Sequence, residues 1–242
     1  MRLYRTVFHG KVGWAVLAAV IVAAGLVVVL PRTSGARPPF DPASVPGTQV
    51  VWVTAAPGAD RGTLELWERG GSGKWERTLA TPAWVGKQGI SDRAAEGSAY
   101  TPEGIFTLTE GFGRSPVESK LPYLPVDSSN TWWWVSDPVS PLYNRSYRCA
   151  EAECPFDTRA AENLGRTVPQ YDYALVIDYN RDPVVAGRGS AFFVHVEAGA
   201  GAPGGGGGGP GGGGAAPPAE VMRSLLGALQ PSRRPVIGMY SS

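Results

Sequence analysis

The sequence predicts a mainly β domain with few helices, and composition and patterning both favour that fold class. Only 18% of the 242 residues are charged, while 33 are glycine and 22 are proline, which is typical of a chain with many turns. Short apolar or alternating segments recur between these turn residues, as expected for β-strands. Apolar residues make up 43% of the chain, enough for a substantial core.

The strand candidates follow one another from residue 48 onward. Apolar and polar residues alternate on both sides of a Gly-Gly-Ser-Gly turn, which predicts a hairpin over residues 62–80. Further strands are predicted at residues 48–55, 104–113, 131–137, 173–180, 190–196 and 235–239. One helix is predicted at residues 219–229, where leucine and methionine recur at helical spacing.

The N-terminal part of the chain divides into three segments. Residues 1–11 form a basic stub, and residues 12–30 carry no charge and would span about 28 Å as a helix, close to the thickness of a bilayer core. The positive flank predicts a cytoplasmic N-terminus and a single-pass protein of the cell membrane, with its domain on the extracytoplasmic side. A cleaved signal peptide is the alternative, because residues 33–36 include small side chains. Residues 31–47 form a Pro-rich spacer before the domain at residues 48–242.

Cys149 and Cys154 are the only cysteines of the chain. An even count in an exported domain favours a disulfide, although a reactive thiol pair stays open. No metal site is expected, since no histidine or further cysteine lies near them in the sequence. The net charge of +1 gives no reason to expect nucleic acid as a partner.

Several motifs occur in an order that resembles the catalytic domains of L,D-transpeptidases of the YkuD type. Residues 85–113 contain Gly-x-x-Gly and Thr-Pro-x-Gly-x-Phe-x-Leu, and residues 187–196 contain Gly-Ser-x-x-Phe-x-His. The chain is most similar to short, membrane-anchored members of an actinobacterial type, which also carry a Cys…Cys-Pro-Phe segment. The resemblance covers about residues 50–239. It implies a β-sandwich of two packed mixed sheets, peptidoglycan stem peptides as partners and no cofactor.

The resemblance also implies cysteine acyl transfer. In that family a cysteine thiolate attacks a stem-peptide carbonyl and expels D-alanine, and the thioester then passes to an amine of a second stem, giving a 3-3 cross-link, or to water. His195 matches the family's histidine, the base that generates the thiolate. Backbone N–H groups around the cysteine would hold the oxyanion. No substrate-binding residue is indicated.

The nucleophile itself is missing from this sequence. The family's cysteine falls at or near Gly214, within a Gly-rich, low-complexity stretch at residues 200–217, and no Cys, Ser or Thr occurs between Val196 and Val221. Three interpretations stay open: a pseudoenzyme facing the cell wall, an active L,D-transpeptidase whose nucleophile loop is misread in a GC-rich gene, and a membrane-anchored structural scaffold. A fourth would bring Cys149 or Cys154 to His195.

Other residues have structural as well as functional interpretations. His195 could be a hydrogen-bonded histidine at a strand end, and Glu197 and Asp178 could orient it or be solvated. Trp132 and Trp134 could share the wall of a groove, because alternate residues of a strand lie on one face. Packing in the core is the preferred interpretation for the tryptophans.

Overall fold

The computed structural model describes residues 33–34, 37–198 and 213–242. The predicted membrane segment at residues 12–30 and most of the Gly-rich stretch lie outside the described residues. Within the described part, no helix combines the length and apolar character needed to cross a bilayer.

The described residues form fifteen strands, one α-helix and four short 3-10 helices. The strands are β1 (Thr33–Ser34), β2 (Gln49–Ala55), β3 (Arg61–Arg69), β4 (Trp75–Trp84), β5 (Ile90–Ser91), β6 (Thr101–Pro102), β7 (Gly104–Thr107), β8 (Gly111–Gly113), β9 (Tyr123–Pro125), β10 (Trp132–Val135), β11 (Ser146–Arg148), β12 (Ala161–Asn163), β13 (Ala174–Val176), β14 (Phe193–His195) and β15 (Val236–Ser241). The α-helix is α1 (Ala219–Ala228), and the 3-10 helices are Glu151–Glu153, Thr158–Ala160, Gln170–Asp172 and Pro231–Arg233.

The strands assemble into several mixed sheets, so the predicted mainly β class is confirmed. The largest sheet has the order β1-β4-β3-β2-β15-β7, and a four-stranded sheet has the order β14-β13-β8-β9. Strand β15 pairs parallel with β2 and antiparallel with β7. Two smaller sheets, β11-β10-β12 and β5-β6, complete the described part.

The predicted hairpin is present as β3 and β4. Its turn closes with the N–H of Gly73 donating to the carbonyl of Gly70 at 2.9 Å, and Gly73 has a φ of 78°, which glycine adopts without strain. Leu64 and Leu66 of β3 point into the core, as the alternating pattern predicts.

Packing begins inside the predicted spacer, before residue 48. Strand β1 pairs with β4, and the buried ring of Phe40 lies 5.1 Å from Trp52 and 5.2 Å from Trp75, measured between ring centroids. This aromatic cluster, which also contains Trp67, covers one face of β2 and β3. The described domain therefore includes part of the Pro-rich segment.

The main core lies between the six-stranded sheet, the four-stranded sheet and α1. The predicted helix is confirmed, and its Met222, Leu225 and Leu226 are fully buried in this core. A second cluster, built around Phe112, Trp134, Tyr171 and Phe193, lies against the same four-stranded sheet. Strand β14 supplies Val194 to the first cluster and Phe193 to the second, so it is fixed on both faces.

Candidate functional site

His195 is the last residue of β14 and is only 3% exposed. On one side β14 pairs with β13, which sets Ala174 opposite His195. On the other side the N–H of His195 donates to the carbonyl of Ala215 at 3.0 Å. Pairing on both edges holds the backbone that carries the imidazole.

The ring of His195 has one nitrogen with a partner and one without. Nδ1 lies 2.8 Å from the carbonyl oxygen of Val196. A carbonyl only accepts, so Nδ1 carries the proton and Nε2 is the lone-pair nitrogen. Burial lowers the pKa of His195, and the hydrogen bond to Val196 only partly opposes this. The imidazole is therefore neutral, with the tautomer that a general base needs.

Nε2 of His195 is buried and has no hydrogen-bond partner in the part of the chain that the structure describes. Buried polar atoms are nearly always paired, and an unpaired one costs about 1–3 kcal/mol. Such atoms call for a functional or structural explanation.

Residues 213–217 cover the open edge of β14, and the backbone of Gly214, the expected nucleophile position, lies against Phe193 of that strand. The N–H of Ala215 donates to Phe193 at 3.1 Å, and that of Ala216 donates to Trp84, at the end of β4, at 2.8 Å. The segment therefore bridges the six-stranded and four-stranded sheets. It places Gly214 next to Phe193 of β14.

The backbone at Gly214 is packed too closely for any side chain. A Cβ atom built there would lie 1.7 Å from the carbonyl oxygen of Phe193, and one at Gly213 would lie 2.0 Å from that of Tyr100. The carbonyl of Gly214 accepts from the hydroxyl of Thr101 at 2.8 Å, and the same hydroxyl accepts from the N–H of Gly86. Residues of separate motifs thus meet here, around two positions, Gly213 and Gly214, that accommodate only glycine.

Tyr171 packs against the histidine and Glu162 bonds to Tyr171, and no sequence motif indicates either residue. The ring of Tyr171 meets that of His195 edge-on, with centroids 6.0 Å apart, and its hydroxyl donates to the carboxylate of Glu162. Burial raises the pKa of Glu162 to about 7 and that of Tyr171 well above its usual value. Neither residue belongs to a motif, and only the fold brings them to β14.

The other predicted candidates lie elsewhere. The carboxylate of Asp178 accepts from the hydroxyls of Thr107 and Thr109, and the imidazole of His195 is oriented by a backbone carbonyl rather than by Asp178 or Glu197. Cys149 and Cys154 form the expected disulfide, so neither is a thiol.

Two of the three consecutive tryptophans pack as expected. Trp133 and Trp134 are each 2% exposed, and Trp134 belongs to the second core cluster. Trp132, which shares a face of β10 with Trp134, is half-buried against that cluster.

Comparison of the chain with family models, with curated proteins and with solved structures finds no match.

Proposed function

We propose that this protein is an L,D-transpeptidase-like domain that faces peptidoglycan and does not catalyse acyl transfer as its sequence stands. Its mixed sheets would be those of the L,D-transpeptidase sandwich, and residues 12–30 would hold it at the membrane. Peptidoglycan stem peptides are its expected ligands. The proposal rests on the order of the sequence motifs together with the geometry around His195.

The observation that carries the proposal is the pairing of a base-like histidine with a nucleophile position that has no side chain. His195 is neutral and buried, and its Nε2 is unpaired among the described residues. Gly214 lies against Phe193 of the same strand, with the carbonyl oxygen of Phe193 where a Cβ would be. A thioester requires sulfur and an oxygen ester requires a hydroxyl, so a base alone forms no acyl-enzyme.

An active L,D-transpeptidase with a misread loop is the second candidate, and the unpaired Nε2 of His195 favours it. A thiol or hydroxyl on a loop of different conformation could donate a hydrogen bond to Nε2, which would remove the free-energy cost of leaving that atom unpaired. Such a loop would have to follow another path, because the present backbone leaves no room for a side chain at Gly214.

The two candidates differ in covalent chemistry. The full-length protein should give no adduct in intact-mass spectrometry after incubation with a β-lactam of the kind that acylates L,D-transpeptidases, and should release no D-alanine from a tetrapeptide stem above background. Loss of a covalent nucleophile leaves only a residual rate, several orders of magnitude below that of an intact site.

Three variants sharpen the test. Gly214→Cys alone should not be acylated, since its Cβ would overlap the carbonyl of Phe193. Replacement of residues 203–216 by a short loop that ends in Thr-x-Gly-Cys-Val should restore acylation, and His195→Gln in that background should abolish it. Acylation of the unaltered chain would overturn the proposal of a silent domain. Failure of the repaired loop would remove the assignment of His195 as the base.

A further inference from the structure

A pocket of about 240 Å³ lies between the loop after β5, the end of β10 and the start of β12. Its polar wall is formed by Glu96, Ser136, Arg159 and Glu162, and the rest of its wall is small or apolar, including Pro138. Neither His195 nor Gly214 lines it. The pocket shares Glu162 with the surroundings of His195, through the hydrogen bond to Tyr171, but not the imidazole or Gly214 as lining residues.

Both carboxylates of this pocket are held in place by hydroxyl groups rather than by cations. Glu96 accepts from Ser190 at 2.8 Å and from the hydroxyl of Tyr143, and Glu162 accepts from the hydroxyl of Tyr171. Among the described residues, neither glutamate takes part in a salt bridge. Two acidic groups therefore face one space without a countercharge.

Arg159 does not supply that countercharge. Its guanidinium is engaged by Asp157 through two hydrogen bonds, of 2.9 and 2.7 Å. The pKa of Glu162 is raised mainly by burial and also by repulsion from Glu96. Arg159 does not affect it. The negative charge in the pocket is therefore not neutralised by a protein side chain, and a positively charged ligand would be favoured.

Ser136 supplies an independent observation that points to a ligand. Its side chain is 6% exposed, and its hydroxyl has no hydrogen-bond partner in the described part of the chain. An unpaired buried hydroxyl is unfavourable by about 1–3 kcal/mol, and a ligand atom that reached it, once the side chain turned toward the pocket, would remove that cost. The residue lines the same pocket as the two glutamates.

We propose that this pocket binds the ammonium group of a short primary alkylamine. An ammonium has three N–H donors and no acceptor, and it would meet acceptors from Glu96, Glu162 and Ser136. The small and apolar wall around Pro138 would pack against the methylene groups. At the roughly 30 Å³ that one water occupies in the liquid, the pocket holds about eight heavy atoms.

Other ligand classes fit less well. Within the described residues no three His, Cys, Asp or Glu side chains group together as metal ligands. An anionic ligand would be repelled by the two glutamates. The inference depends on neither the proposed peptidoglycan function nor the absence of the nucleophile.

Binding at this site should depend on pH through Glu162. The titratable and charged groups around it are Tyr171, Glu96 and Arg159. Tyr171 stays neutral because its pKa is raised further, and arginine stays charged. Glu162, with a pKa of about 7, is the group that gains charge between pH 6 and pH 8, while an alkylamine stays protonated.

The test uses n-butylammonium as probe and n-butanol as its neutral counterpart, with the full chain in detergent micelles and saturation-transfer NMR titrations. Butylammonium should bind saturably and more tightly at pH 8 than at pH 6, and butanol should not. Glu162→Gln should weaken binding at pH 8 by about tenfold or more, the loss expected for a hydrogen bond to a charged group.

Ser136→Ala tests the same pocket independently of the glutamate. That change removes a hydroxyl with no protein partner, so the variant should remain stable and bind several-fold more weakly. Glu76→Gln, at an exposed position of β4, is the matched control and should leave binding unchanged. Equal binding of butanol and butylammonium, unchanged affinity in both pocket variants, or no saturable binding of butylammonium at pH 8 would each overturn the proposal.

Discussion

His195 and Glu162, which both contact Tyr171, respond to pH in opposite directions. Burial lowers the pKa of His195 below 6.5, so the stability that its neutral form contributes is present above pH 6.5 and is lost as the pH falls. Burial raises the pKa of Glu162 from 4.5 to about 7, so its contribution is present below pH 4.5 and is lost as the pH rises through 7.

Replacing Glu162 by glutamine should remove the second of these responses. The two pKa values of Glu162, 4.5 unfolded and about 7 folded, correspond to about 3 kcal/mol of unfolding free energy. As the pH rises from 5 to 8, the stability of Glu162→Gln relative to the natural chain should therefore increase by about 2–3 kcal/mol. Urea unfolding at the two pH values measures it, with Glu76→Gln as control. Parallel pH profiles of the natural chain and the variant would contradict the prediction.

The residues of the site could be found from the sequence only where a motif carries them. The order of motifs indicated His195, and the spacing from the helix indicated Gly214. Glu162, Tyr171 and Ser136 carry no pattern, because burial and pairing through space give them their properties. No residue pattern in the sequence indicates that the backbone at Gly214 excludes a side chain.

At the scale of elements, the predicted strand over residues 104–113 is two strands with different partners. Strand β7 pairs with β15 in the six-stranded sheet, and β8 pairs with β13 in the four-stranded sheet. Phe106 of β7 packs on the first core cluster and Phe112 of β8 belongs to the second, so apolar residues continue across the change of sheet and leave no mark of it in the sequence. The hairpin and α1 were predicted well, since turn chemistry and helical periodicity are local signals.

Strand β15 carries a glycine where a neighbouring ring leaves no space. A Cβ at Gly238 would lie 2.1 Å from the ring of Trp52, which is itself packed between Phe40 and Tyr240. Gly238→Ala should therefore destabilise the fold by about 1–3 kcal/mol. Gly227→Ala in α1, where the nearest atom is 3.6 Å away, is the matched control and should stabilise by up to about 1 kcal/mol. Denaturant unfolding compares the two, and a neutral Gly238→Ala would count against close packing of β15 on Trp52.

The disulfide closes a short loop around the 3-10 helix Glu151–Glu153. For a loop of this size, chain entropy predicts a stabilisation of about 2 kcal/mol. A Cys149→Ser, Cys154→Ser variant should lose about that much in chemical denaturation, and reduction of the natural chain should lose the same. Alkylation of the native, unreduced protein should label no thiol. Two labelled thiols in that sample would show that the bridge is not formed.

At the scale of the whole molecule, the remaining expectation concerns residues 12–30, which lie outside the described residues. If they anchor the chain, the protein should sediment with membranes, resist extraction by high salt and be released by detergent, because about 28 Å of uncharged helix fills the apolar layer. Fractionation followed by N-terminal sequencing measures this. A soluble form that begins just after Ala36 would establish the cleaved signal peptide instead.

The central place of β15 has a consequence for how the protein is made. Its neighbours in the sheet, β2 and β7, are synthesised far earlier, and Ser242 bonds to Ala55 across 187 residues. Until β15 emerges, the backbone groups of β2 that face it have no partner, and an open strand edge invites pairing with other chains. Non-local closure of this kind is also slow. Chaperones that shield extended segments would therefore be needed throughout synthesis, and a product that stops before Val236 would remain a substrate for proteases.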